Sequence, residues 1–181
     1  MEQFKDQKQA VKPFIARAIF LLCVMIGAGL AQPARAQSST GDVNAVVNRA
    51  IEITKNADLD FGDFVAGTTR SLFRLNPRNG NLNQRNGDAT AIGSGHQAAS
   101  FTVTGTPLLR VIITRGQNRI FISRDGGSET MRINRFRFNG RRKRLNAAGE
   151  ATYLVGGQIR IGANQAAGVY RGTFDVTVEY Q

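Results

Sequence analysis

The sequence predicts an all-β protein: an antiparallel β-sandwich that follows a cleaved signal peptide. Beyond the N-terminal region, about nine or ten short segments of β-forming side chains alternate with Gly, Asn and Pro, which is typical of sandwiches. None of these segments shows a helical period. The chain ends on residues 168–181, where apolar and polar side chains alternate as in a strand with one buried face.

The first 36 residues are organised like an export signal. Basic residues precede the apolar run 18–30, whose 13 residues are too few to span a bilayer. The Ala-x-Ala sequence at 34–36 predicts cleavage before Gln37, with a cut after Ala31 as the alternative. We therefore expect an exported protein of the periplasm, cell surface or medium. Residues 37–181 are then one domain, and no transmembrane helix remains.

The composition of the mature chain limits what it can do. Its 145 residues contain no cysteine, so the fold depends on its core without disulfides. The chain keeps 19 basic and 11 acidic residues, a net charge of +8, and 17 of the 19 cations are arginine. This excess serves either solubility or contact with acidic polysaccharide, lipopolysaccharide or extracellular DNA.

In the N-terminal half, every second residue from 43 to 53 is apolar except Arg49. This pattern predicts one strand, or two short ones meeting near Asn48. Residues 59–65 and 71–75 are predicted as the next strands, the second stopped by an Asn-Pro pair. Residues 78–95 are rich in Asn, Gly and Gln and are predicted to be the least structured.

The C-terminal half alternates more clearly. Its predicted strands are 99–104, 108–114, 119–123, 131–138, 153–155, 158–161 and the final stretch. A parity change near Asn134 predicts a β-bulge, and Asn139-Gly140 predicts a tight turn.

The alternation also predicts which side chains face the core. In the final stretch and in strand 99–104, the apolar parity is expected to point inward and the polar parity outward. The inward residues are Phe101, Val103, Phe174, Val176 and Val178. Thr177 lies on the opposite, wet face.

Residues 57–67, 99–107 and 155–180 resemble the bacterial secreted family called domain of unknown function 4402, and more distantly the spore-coat-U and chaperone–usher pilin groups. Gly168, fourteenth from the end, and the penultimate Tyr180 resemble the C-terminal motif of pilins. The resemblance implies an immunoglobulin-like sandwich, export from a Gram-negative cell and no known catalysis. The chain departs from many pilins in lacking their cysteine pair.

The resemblance further implies a mode of assembly. A groove beside Gly168, Phe174, Val176, Val178 and Tyr180 would be filled by an extended segment of the next subunit. The best donor is the mature N-terminus, through Val43, Ala45 and Val47, which share one parity. The competing possibility is that this segment folds back and closes a monomer.

The sequence offers little for catalysis or metal binding. His96 is the only histidine, in a polar loop with Ser94, and no nucleophile motif accompanies it. Asp58, Asp60 and Asp63 lack the spacing of a calcium loop. We expect no enzyme activity, no cofactor and no metal.

One charge run stands out, at Arg141, Arg142, Lys143 and Arg144. It is expected in a loop at one end of the sandwich, either solvated or as a patch that contacts polyanions. Sequence-specific nucleic-acid binding is not expected, since no aromatic residues interleave the run.

These features predict an exported, non-enzymatic structural or adhesive surface protein, a pilin-like subunit completed by strand addition. The candidate partners are itself, other subunits, a periplasmic chaperone and acidic polysaccharide. The alternative is a monomeric secreted module that binds acidic polymers through an arginine-rich face.

Overall fold

All regular structure in residues 44–181, the part that the computed structural model describes, is antiparallel β-sheet. The prediction of an all-β sandwich is therefore confirmed. The expected signal peptide, its cleavage sites and Val43 lie outside the described residues. The strands are β1 Glu52–Ala57, β2 Asp63–Val65, β3 Ser71–Leu75, β4 Leu82–Asn86, β5 Thr90–Ile92, β6 Ala99–Thr104, β7 Arg110–Arg115, β8 Arg119–Arg124, β9 Thr130–Phe138, β10 Arg142–Arg144, β11 Glu150–Ile161, β12 Tyr170–Arg171 and β13 Val176–Tyr180.

The large sheet is organised around β11, its longest strand at 12 residues. The strand order is β1-β6-β11-β9-β8-β12, with β3 also on β11 and β4 beside β3. One edge of β11 is shared, because its first half pairs with β6 and its second half with β3. The other edge pairs with β9. A long central strand thus lets one sheet hold two strands on the same side.

The three-stranded sheet β10-β7-β13 covers one side of the large sheet. Val103 of β6 and Tyr153 of β11 pack with Val111 and Ile113 of β7, and all four are fully buried. A second cluster centred on Phe73, Phe101, Phe136 and Ile159 continues the core beneath the rest of the large sheet. The strands β2 and β5 form a small separate pair.

The final stretch differs from the single strand that the sequence predicts. Residues 170–171 pair with β8 of the large sheet, whereas residues 176–180 pair with β7 of the other sheet. A Cβ on Gly172 would lie 2.7 Å from a methyl group of Ile122, so the backbone approaches β8 closely before it leaves. Asp175 then bonds to the turn after β7, its carbonyl accepting from the Gly116 amide at 2.9 Å.

The predicted inward and outward side chains are nevertheless confirmed. Phe101 and Val103 are buried, and Phe174, Val176 and Val178 pack on the core while Thr177 is exposed. The ring of Phe174, between β12 and β13, packs against the rings of Phe101 and Phe136.

Several predicted boundaries need correction. Residues 44–51 form no strand, and β1 starts only at Glu52. Of 59–65, only residues 63–65 are a strand, and 78–95 contain β4 and β5 rather than irregular chain alone. Segments 153–155 and 158–161 join into β11. The predicted bounds of β3 and β6 are confirmed.

The predicted bulge in β9 is confirmed. The register of β9 with β11 shifts beyond Asn134, and Arg135 has a left-handed φ of 51°. Two residues of β9 there oppose one of β11, as in a β-bulge. The bulge turns Phe136 into the core and Arg137 outward.

Candidate functional site

The two sheets leave one side of the sandwich incompletely covered. In residues 44–181, β13 pairs only with β7, and β1 pairs only with β6, so each strand has one bare edge. Ile51, just before β1, packs on the same core cluster as Val176, Val178 and Tyr180, so the start of β1 and strand β13 border the same part of the core. We call this feature the open edge. It comprises Ile51 and Ile53 on one side, and Val176, Val178 and Tyr180 of β13 on the other.

Apolar side chains at the open edge face the core but remain partly exposed. Ile53 lies opposite Val103, which is fully buried, so both point to the same face. Ile53 is nevertheless 41% exposed. Val176, Val178 and Tyr180 are only half-buried. The core is therefore shielded by β6 and β7 but lacks a layer at this edge.

Tyr180 ties the end of β13 to the chain that enters β1. Its hydroxyl accepts from the Thr106 amide at 2.7 Å and donates to the Arg49 carbonyl at 2.8 Å. The Arg49 amide in turn donates to the Thr106 hydroxyl at 2.8 Å. The penultimate tyrosine thus fixes where the N-terminal segment leaves the sandwich, beside the open edge.

The described part of the predicted donor segment forms no strand and exposes its valines. Ala45 and Val47 lie in non-strand chain, and Val46 and Val47 are 85% and 96% exposed. Adjacent valines at such exposure are free to pack on another apolar surface.

Gly168 has a backbone role. Its φ of 145° lies in a region that favours glycine, and a Cβ there would meet the Arg124 side chain at 2.8 Å. Gly168 precedes β12 in the large sheet, whereas Val176, Val178 and Tyr180 lie in the other sheet. The structure thus divides the predicted strand-addition motif, and only its second part reaches the open edge.

The charge run is a strand rather than a loop, and it does not form one surface. Arg142 and Arg144 of β10 are exposed, as is Arg141 just before it. Lys143 faces inward, where its ammonium lies 4.8 Å from the centre of the Tyr153 ring and donates to the Thr152 carbonyl. Burial lowers the pKa of Lys143. The prediction of a loop is wrong, because residues 142–144 form strand β10, and alternation along that strand turns Lys143 inward.

The residues considered for catalysis or metal binding have local contacts. Asp60 accepts from the Gly62 amide at 2.8 Å, and Asp58 pairs with Lys55 at 2.7 Å. Within residues 44–181, no group of three His, Cys, Asp or Glu side chains is placed to hold a metal ion. The same residues include no helix of the length and hydropathy needed to cross a membrane.

Sequence reasoning missed a second grouping, on the outer face of the large sheet. Arg74, Arg132 and Arg160 come from three different strands: Arg160 lies directly opposite Arg132, and Arg74 lies opposite Gln158 of the same strand as Arg160. The available signal was that each occupies the polar parity of an alternating strand. Only the strand order and register, which the sequence does not specify, show that the three belong together.

Comparison with known proteins yields one result. Neither the search of curated proteins nor that of solved structures returned a match. The family described as Domain of unknown function (DUF4402) matches residues 51–180, which span every strand from β1 to β13. On that match, which covers well over half of the sequence, the chain belongs to the DUF4402 family.

Proposed function

We propose that the protein is an exported, non-enzymatic structural subunit of the cell surface whose open edge is completed by the N-terminal segment of another copy. The observation that carries this proposal is that core-facing side chains at the open edge remain exposed beside a segment with its own exposed valines. Strand addition would bury both the exposed core-facing side chains and the valines of the donor segment. It would also supply hydrogen-bond partners to the bare backbone edge of β13.

The stabilisation available from such an exchange is large for a domain of this size. Burying two valine side chains contributes about 1.5–3 kcal/mol each, with a smaller contribution from alanine. The total of roughly 4–6 kcal/mol compares with a net stability of about 5–15 kcal/mol for a typical domain. A subunit without a donor would be marginally stable and prone to associate, which suits a protein delivered by a chaperone.

A second candidate is a monomeric secreted module that binds acidic polymers. The exposed cations Arg141, Arg142 and Arg144 favour it, since β10 contains no carboxylate that would neutralise them. In this case the N-terminal segment would close the open edge of its own chain.

Deleting residues 37–47 tests the proposal. The truncated protein should lose stability and recover it when a peptide of those residues is added, while the full chain should form concentration-dependent oligomers. The matched control is the same peptide with Val43, Ala45 and Val47 replaced by Ser, which should not restore stability. A full chain that stays monomeric and cooperatively folded at high concentration would refute strand exchange.

A further inference from the structure

The outer face of the large sheet carries a concentration of arginine that the charge run does not include. Arg74 and Arg160 alternate with the buried residues Phe73 and Ile159, so both point away from the core. The same alternation directs outward one arginine of β8 and two of β9. Arg85 of β4 lines the same groove as Arg74 and Arg137. We call this surface the arginine face; it comprises Arg74, Arg85, Arg119, Arg132, Arg137 and Arg160.

Register places four of these six side chains in two rows across the strands. In one row, Arg74 of β3 lies opposite Gln158, which lies opposite Asn134, which lies opposite Arg119. In the other row, Arg160 lies directly opposite Arg132. Like charges directly opposite each other on a sheet are destabilising. The fold therefore tolerates an unfavourable pair here.

The arginine face has no acidic residues of its own. Strands β3, β4, β8 and β9 contain no Asp or Glu, and the one acid of β11, Glu150, lies at its far end. The ion pairs found in residues 44–181 are Lys55–Asp58, Arg124–Glu129 and Arg171–Asp125, and none involves this face.

Several donors of the face are also unsatisfied. The Nε atoms of Arg74, Arg132 and Arg160 are buried and have no hydrogen-bond partner in the described part of the chain. Burial and neighbouring arginines lower the pKa of Arg74 and of Arg160. A buried donor without an acceptor is costly, and native structures rarely keep several side by side. An anion that accepts from these guanidinium groups would relieve both the missing hydrogen bonds and the repulsion.

A groove at one end of the face gives the site its shape. It has a volume of about 290 Å³ and is lined by Arg74, Arg78, Arg85 and Arg137 together with Asn76 and Asn83. Guanidinium groups bind carboxylate and sulfate-like oxyanions in a bidentate manner. The amides between them can donate and accept hydrogen bonds, as sugar hydroxyl groups require.

We propose that the arginine face is a binding site for an acidic polysaccharide that carries carboxylate or sulfate groups. The multi-strand surface matches an extended polymer, because neighbouring strands within a row lie roughly 5 Å apart and the two rows lie roughly 7 Å apart along β11. Nucleic acid fits less well, because base stacking needs several exposed aromatic rings, whereas these strands fully expose only Phe121 and the half-buried Phe138 lines the groove. The site lies on the outer face of the sheet, apart from the open edge, and does not depend on strand exchange.

The test compares two variants of equal charge. In the face variant, Arg74, Arg132 and Arg160 are each replaced by Gln. In the control variant, three exposed cations outside both the face and the charge run, Arg49, Lys55 and Arg110, are each replaced by Gln. Binding of the purified protein to immobilised heparin, a sulfated polyuronate, is measured over a range of salt concentrations. Duplex DNA and phosphatidylglycerol vesicles serve as comparison probes.

The face variant should bind heparin about tenfold more weakly or worse and with a smaller salt dependence, and the control should change about threefold at most. A third variant with Lys at the three face positions should recover only part of the affinity, since Lys cannot bind bidentately. Because the Gln changes remove a repulsive pair, the melting temperature of the face variant should not fall.

Three results would overturn the proposal. Equal loss in the face and control variants would mean that only net charge matters. Tighter binding of wild-type protein to DNA or vesicles than to heparin at the same salt would assign the face to a different polyanion. Unchanged heparin binding by a face variant of normal melting temperature would exclude the site. None of these depends on the oligomeric state, so the strand-exchange proposal is judged separately.

Discussion

Phe174 is the side chain whose removal should be most damaging to the junction between the sheets. Its ring stacks on Phe136 with centroids 5.2 Å apart and meets Phe101 edge-on at 6.1 Å. A fully buried Phe→Ala change costs about 3–5 kcal/mol, including aromatic contacts of about 0.5–1.5 kcal/mol each. Since Phe174 is only half-buried, we expect Phe174→Ala to cost about 3 kcal/mol.

Thermal and urea unfolding measure this loss. For a domain of this size, about 3 kcal/mol corresponds to a fall in melting temperature of roughly 10 °C. The control is Thr177→Ala, because Thr177 is exposed in the same stretch and its change should cost under about 0.5 kcal/mol. Equal losses at the two positions would show that the inward parity is wrongly assigned. No loss at Phe174 would show that its ring does not bridge the sheets.

Three further substitutions should change the stability of the fold in a defined direction. Tyr180→Phe should cost about 1–3 kcal/mol in urea unfolding, because the Thr106 amide loses its acceptor; wild-type stability would show that water replaces the hydroxyl. Hydrogen bonds from two threonines hold the pKa of Asp88 well below its usual range, so the folded state stays ionised where the unfolded state protonates. Its contribution is present above about pH 4 and lost as pH falls below it. Asp88→Asn should remove that acid dependence, and an unchanged acid profile would contradict this assignment. Lys143→Ser should destabilise the fold more than Arg142→Ser, and equal melting temperatures would contradict the inward position of Lys143.

The sequence predicts strands well where one face is apolar. Strand β6 alternates Ala, Phe and Val with Ser and Thr, so its bounds and inward face follow directly from its residues. Strand β4, Leu82–Asn86, has one apolar residue among polar ones because it lies at an exposed edge. Its pairing with β3 comes from tertiary structure, which composition does not reveal.

The candidate sites show the same division. The sequence of the final stretch predicts which of its side chains face the core. It does not predict the change of sheet, because that depends on the close approach of Gly172 to Ile122, a contact between residues far apart in the chain. The run at 141–144 was conspicuous because its charges are contiguous. The arginine face was hidden because register, not sequence, places Arg160 opposite Arg132.

Disulfide trapping tests most directly whether one copy completes another. The expected mature chain has no cysteine, so Val46→Cys in the N-terminal segment and Thr177→Cys on β13 introduce the only two thiols. A disulfide needs Cα atoms within about 7 Å, which strand addition at the open edge would provide between copies. Oxidation of the double variant should give a ladder of covalent multimers, whereas each single variant should stop at a dimer. A double variant that forms only an intrachain disulfide and remains monomeric would contradict strand exchange.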